Sequence, residues 1–322
     1  MSESIHGSRR ALEAAIPTAE GRDDRAQPHS SPDQPSPGGQ EAVALACALQ
    51  RLMTLHEGWA GVTEAAMCGP PAIPALTALL ARPDPSGLFE LRRRAVAALA
   101  ALGASDVLMG FLAGHHELSD PVARVGEDAV VSTAARTLGL MGERRALPLI
   151  VRMAMRRPLP GMIDALGHFR DMQTIPALIR GLDEDDCRAS AEGALLRLGP
   201  RSRDALLRAA GIFAHDGRPE PRARRSAMKL LVEVGIEPVQ RSAVRRFIWD
   251  VDAEVSLHAA QAYLRSGQIE GREEILQRLL KLMPHLQWIN RGVGEDLLKT
   301  YSTVDQSEST AARESTRPAV IG

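Results

Sequence analysis

A thirteen-residue pattern returns along the middle of this 322-residue chain. Residues 91–103 read LRRRAVAALAALG. In the same register, without gaps, come VVSTAARTLGLMG at 130–142, CRASAEGALLRLG at 187–199, ARRSAMKLLVEVG at 223–235 and VSLHAAQAYLRSG at 255–267. A weaker copy, PLPGMIDALGHFR at 158–170, ends on Arg170 where the others end on glycine. Counting from zero, small or apolar residues fall at offsets 0, 4, 7, 8 and 11 in most copies, which is one face of an α-helix. The closing glycine stands where a helix needs a left-handed residue to turn the chain away.

A second element follows most of these glycines. AIPALTALL at 72–80, ALPLIV at 146–151 and TIPALIR at 174–180 place Pro74, Pro148 and Pro176 in one register. Proline suits a helix start, where a missing N–H costs nothing. Each unit is then a first helix, a loop, a second helix and a terminator. The anchors Gly69, Gly103, Gly142, Arg170, Gly199, Gly235 and Gly267 lie 34, 39, 28, 29, 36 and 32 residues apart. Self-similarity at that period is the signature of an all-α solenoid. Composition agrees: aromatic content is only 3%, alanine and leucine fill the core positions, and alternating strand-like runs are absent.

The pair AIPAL… followed by (V/L)RxxAAxALxxLG resembles the HEAT-repeat family, in particular the short bacterial HEAT-like repeats named after phycobilisome lyases. The resemblance covers residues 68–267. It implies an armadillo-like, right-handed α-solenoid of about seven antiparallel helix pairs over residues 41–302, with less regular capping helices at 41–67 and 270–299. It further implies that the second helix of each pair lines a concave surface. Residues 1–40 are rich in Ser, Pro, Gly, Gln and Asp and read as a disordered tail, apart from RRALEAAI at 9–16, which could form a transient helix or docking peptide. Residues 303–322 read as a second tail.

Charge and motifs narrow the function. The 39 basic and 40 acidic residues leave a net charge of −1, without the basic excess of a dedicated nucleic-acid binder. Cys47, Cys68 and Cys187 are odd in number and far apart, so neither a disulfide framework nor a metal box is expected. No apolar run approaches the about 18 residues of a membrane span, and the expected location is cytoplasmic. GxSxG, GxGxxG and GxxxxGK motifs do not occur.

The loop GHHELSDP at 114–121 offers His115, His116, Glu117 and Asp120 as ligands, but without helical metal spacing, and it reads as a solvated insertion. A deoxyhypusine-hydroxylase-like di-iron site would need four His-Glu dipeptides in equivalent positions. Only His56-Glu57 and His116-Glu117 occur, out of register. An alkylpurine-glycosylase-like nucleic-acid binder would need a basic groove with aromatic or carboxylate residues; Trp249 and Trp288 are the obvious aromatics, and packing or an edge contact suits Trp249 better than base stacking. The expectation is therefore no catalytic residue, no metal and no cofactor.

Register also sorts the arginines. Offset 1 holds Arg92, Arg188 and Arg224, the row expected to be structural, with acidic partners expected at Glu90 or Asp84, at Asp186 or Asp183, and at Glu220. Offsets 2, 3 and 6 carry the residues expected to meet a partner: Arg93, Arg94, Arg136, Arg225, Lys229 and His258. These rows are mixed and poor in aromatics, so a protein or peptide fits them better than a phosphate backbone. The reading is a non-enzymatic scaffold or adaptor. The alternatives are a phycobilisome-lyase-like accessory enzyme or chaperone for a chromophore protein, and a HEAT-like nucleic-acid binder.

Overall fold

The computed structural model describes residues 37–315, apart from residues 55, 83–88, 117, 212–220 and 269, and gives side chains through residue 302. The chain divides into two compact units, Met1–Ala42 and Val43–Gly322. Most of the expected N-terminal tail, including residues 9–16, and the last residues of the expected C-terminal tail lie outside the described residues.

Every regular element among the described residues is a helix. In order they are α1 (Pro37–Leu52), α2 (Gly58–Met67), α3 (Ile73–Leu80), α4 (Glu90–Ala101), α5 (Ser105–Ala113), α6 (Pro121–Leu140), α7 (Leu147–Arg156), α8 (Pro160–Phe169), α9 (Ile175–Gly181), α10 (Asp185–Leu198), α11 (Arg203–Ala210), α12 (Pro221–Val234), α13 (Arg241–Phe247), α14 (Ala253–Arg265), α15 (Arg272–Leu282) and α16 (Trp288–Ser315). The last helix runs on past the point where the sequence composition turns tail-like.

The second helices are α4, α6, α8, α10, α12 and α14, and they pack side by side in chain order. First helices pack against the second helix of their own pair, as in α3 on α4, α7 on α8, α11 on α12 and α13 on α14. Each element thus touches its neighbours in sequence, the arrangement expected of an α-solenoid. The packing stripe is the one the repeat marks: Ala95, Ala98 and Leu99 of α4, Val130, Ala134 and Leu138 of α6, and Cys187, Ala191, Ala194 and Leu195 of α10 are all buried.

The terminators behave as their position demands. Gly69, Gly103, Gly142, Gly199, Gly235 and Gly267 all have φ between 58° and 77°. Arg170, at the glycine position of the weak copy, is forced into the same region at φ 51°, ψ 35°. Pro74, Pro148 and Pro176 sit in the first turn of α3, α7 and α9. No described helix is long and apolar enough to cross a membrane.

Candidate partner-binding face

The second helices carry a row that faces inward to the first helices. Arg92 Nε donates to Leu80 O at 2.8 Å, Arg188 Nε to Leu182 O at 2.9 Å, and Arg224 Nε to Ala210 O at 2.7 Å. Ser256, in the same register, donates to Ile248 O. Each acceptor lies at the C-terminal end of a first helix, where carbonyls lack intrahelical partners. Offset 1 is therefore a cap that ties the second helix to the end of the first.

The carboxylates that complete this row differ from those expected. Arg92 makes a buried, bidentate pair with Glu127 of α6 and lies over the Phe111 ring. Arg188 pairs with Asp185 at 2.7 Å and reaches Asp183 at its backbone carbonyl. Arg224, with 1% of its side chain exposed, pairs with Asp250. Glu90 serves Arg93 instead. Asp84 and Glu220 lie outside the described residues. Burial alone would raise the Glu127 carboxyl; the nearby His115 and the guanidinium of Arg92 override it and hold the group down to about 2.

The residues expected to be free for a partner are already engaged. Arg93 donates to Thr133 Oγ1 of the next second helix at 3.1 Å and to Glu90 at 3.1 Å. Arg136 of α6 clasps Asp164 of α8 at 2.8 and 2.7 Å. Arg225 of α12 clasps Asp252 at 2.9 and 2.8 Å, and Asp252 also caps the N-terminus of α14. Lys229 stands 3.7 Å from Glu192 of α10. These four keep part of their surface open to solvent and bridge neighbouring second helices, Arg136, Arg225 and Lys229 through carboxylates and Arg93 through the Thr133 hydroxyl.

Two residues leave the expected set. Arg94 is 6% exposed and donates to Leu52 O at 3.0 Å and Thr54 O at 2.6 Å, so it caps α1. It fits because Gly58 has no side chain; a Cβ there would stand 1.8 Å from its Nη1. His258 is 8% exposed and faces Gln261 at 3.3 Å, and burial lowers its pKa.

The other candidates resolve into structure. Asp120 caps α6 through Ala123 N at 2.7 Å, and His115 Nδ1 lies 3.6 Å from Glu127 Oε1. Glu117 lies outside the described residues. Glu57 is the N-cap residue of α2 and pairs with Arg51. Cys187 is buried in α10, and burial together with Glu184, Asp186 and Asp164 pushes its thiol up to about 11. That is the wrong direction for a nucleophile. Trp249 is 47% exposed after α13, more open than a core packing residue and in keeping with an edge contact. Among the described residues no group of three or more His, Cys, Asp or Glu could hold a metal ion.

One concavity on this face involves residues that the repeat rows did not select. Arg136, Asp164, Gly167, His168, Arg170 and Arg197 line it, drawn from α6, α8 and α10. The signals were present: Arg170 breaks the glycine rule, while His168 and Arg197 share offset 10.

No family model and no curated protein matches this chain. Among solved structures, the complex of CpcE and CpcF of phycocyanin lyase from Nostoc sp. PCC7120 is similar at 18% identity and a TM-score of 0.34, covering 83% of this chain and 100% of that one. A likeness of that size is too slight to carry an argument about fold or function. The helical architecture rests on the helices themselves.

Proposed function

We propose that this chain is a right-handed, HEAT-like α-solenoid of about seven antiparallel helix pairs that acts as a non-enzymatic scaffold, holding a protein or peptide on the face built by its second helices. The observation that supports this is the row of bridges between second helices. On the second helices, Arg136, Arg225 and Lys229 are held by carboxylates of the neighbouring second helix or its cap, and Arg93 by Glu90 of its own helix and the Thr133 hydroxyl of the next. Side chains so ordered meet a partner with little further loss of rotamer freedom. Cations half neutralised in this way are poorly suited to tracking a phosphate backbone.

The test uses the full chain. It is tagged, expressed in cells of its source organism and captured, and cross-linking mass spectrometry then maps what it holds. A stoichiometric protein cross-linked to α4, α6 or α12 is expected. The triple variant Arg93→Gln, Arg136→Gln, Arg225→Gln should lose it while keeping its helicity. Cross-links confined to the first helices, or undiminished capture by the folded triple variant, would overturn the reading.

A further inference from the structure

The concavity between α6, α8 and α10 concentrates charge that the rest of the face neutralises. Its cations are Arg136, Arg170 and Arg197, with His168 beside them. Its single lining carboxylate, Asp164, is already clasped by Arg136. Arg170 and Arg197 make no hydrogen bond or ion pair among the described residues, whereas Arg93, Arg225 and Lys229 on the same face all have acidic partners.

Two features show that these guanidinium groups are placed rather than incidental. Arg197 lies across two glycines: a Cβ on Gly167 would stand 2.5 Å from its Nη2, and one on Gly193 would stand 3.4 Å from its Nη1. Arg170 is the only non-glycine residue at positive φ among the described residues. For an L-residue with a side chain that conformation costs about 1–2 kcal/mol. The other six anchors avoid it with glycine. Helix dipoles account for a His168 or an Arg197 in a last helical turn. They do not account for a strained arginine where glycine would serve the fold better, and strain of this kind is kept where it positions a functional group.

We infer that this concavity is an anion-binding site that receives the carboxylates of an acidic peptide segment of the partner. The inference rests on the scaffold reading and names the chemistry at one point of that surface. A guanidinium matches a carboxylate through paired N–H donors. Aromatic side chains for stacking bases do not line the site, and Arg93, Arg225 and Lys229 beyond it are paired with carboxylates, so a short acidic segment fits better than a nucleic acid.

The experiment uses the full chain and a fluorescein-labelled oligoglutamate peptide at low salt, with oligoglutamine as the uncharged control and inorganic phosphate as competitor. Preferential binding of oligoglutamate is expected. Arg170→Gly and Arg197→Gln should each weaken it about two- to five-fold, and together about tenfold. Arg170→Gly relaxes the backbone, so its loss of binding should come with a raised unfolding midpoint, which separates a binding role from a folding role. Arg265→Gln, at the same offset in α14, should change nothing. The inference falls if oligoglutamate and oligoglutamine bind alike, if Arg265→Gln weakens binding as much as Arg197→Gln, or if inorganic phosphate displaces the peptide at micromolar concentration. It falls separately from the scaffold reading if the double variant still captures the cellular partner in full.

Discussion

Arg92, Arg93 and Arg94 are consecutive in sequence and have three different roles. A helix turns about 100° per residue, so neighbours point in different directions. Arg92 caps α3 and pairs with α6, Arg93 lies in the partly exposed row of bridges, and Arg94 caps α1 across the gap left by Gly58. Arg94→Ala should cost about 2–3 kcal/mol, because it removes charge-assisted bonds to two carbonyls that are left unpaired. Gly58→Ala should cost a similar amount, since the new methyl group takes the place of the same guanidinium. Denaturant midpoints of the two single variants and the double variant test this. If both act through Arg94, the double should be little worse than either single, and additive losses would refute the shared cause. Helical register identified Arg92 as structural from sequence. Arg94 was not legible in that way, because its acceptors, at the end of α1 and just past it, lie about forty residues back and outside the repeat.

The Arg92–Glu127 pair shows what an element contributes beyond its repeat. Register placed Arg92 correctly but put its partner within its own unit. The aligned window of the next copy opened at Val130, whereas α6 starts at Pro121 with Asp120 as its cap. The extra turns account for the long spacing between Gly103 and Gly142, and they carry Glu127 alongside α4. An ungapped alignment cannot show a helix that begins before the pattern does. The pair has a pH signature. Glu127 sits near 2 in the folded protein against 4.5 for an ordinary glutamate, so folding favours its charged form. That contribution is complete above about pH 5 and is lost as pH falls from 4.5 towards 2. Urea unfolding between pH 7 and pH 3 should therefore show a falling midpoint. Glu127→Gln should flatten that fall while lowering stability at pH 7 by about 3 kcal/mol, since Arg92 stays buried without its counter-charge. A wild-type acid limb that survives unchanged in Glu127→Gln would assign it to other carboxylates.

Within residues 43–322 the helices form a chain of nearest-neighbour contacts, and stability should be correspondingly local. The repeat period made this organisation legible in sequence. What it could not show is where the chain of contacts is tightest. At the crossing of α6 and α8 the backbones meet through glycines: a Cβ on Gly161 would stand 1.8 Å from Ser132 O, and one on Gly139 would stand 2.5 Å from Ala165 Cα. Gly161 N also donates to Ser132 Oγ at 2.6 Å. No rotamer of a larger residue avoids such a clash, because it is with backbone and not with a movable side chain. Gly161→Leu should therefore push α8 away from α6 and cut the stack at its middle. The helices before and after the cut keep their own buried stripes, including Leu99 and Leu108 on one side and Leu195 and Leu231 on the other. The expected result is loss of a single cooperative transition. Calorimetry should resolve two transitions, and hydrogen exchange should show α6 and α8 opening first while α12 and α14 stay protected. Uniform destabilisation with one sharp transition would mean that coupling extends well beyond nearest neighbours, and the one-dimensional description would fail.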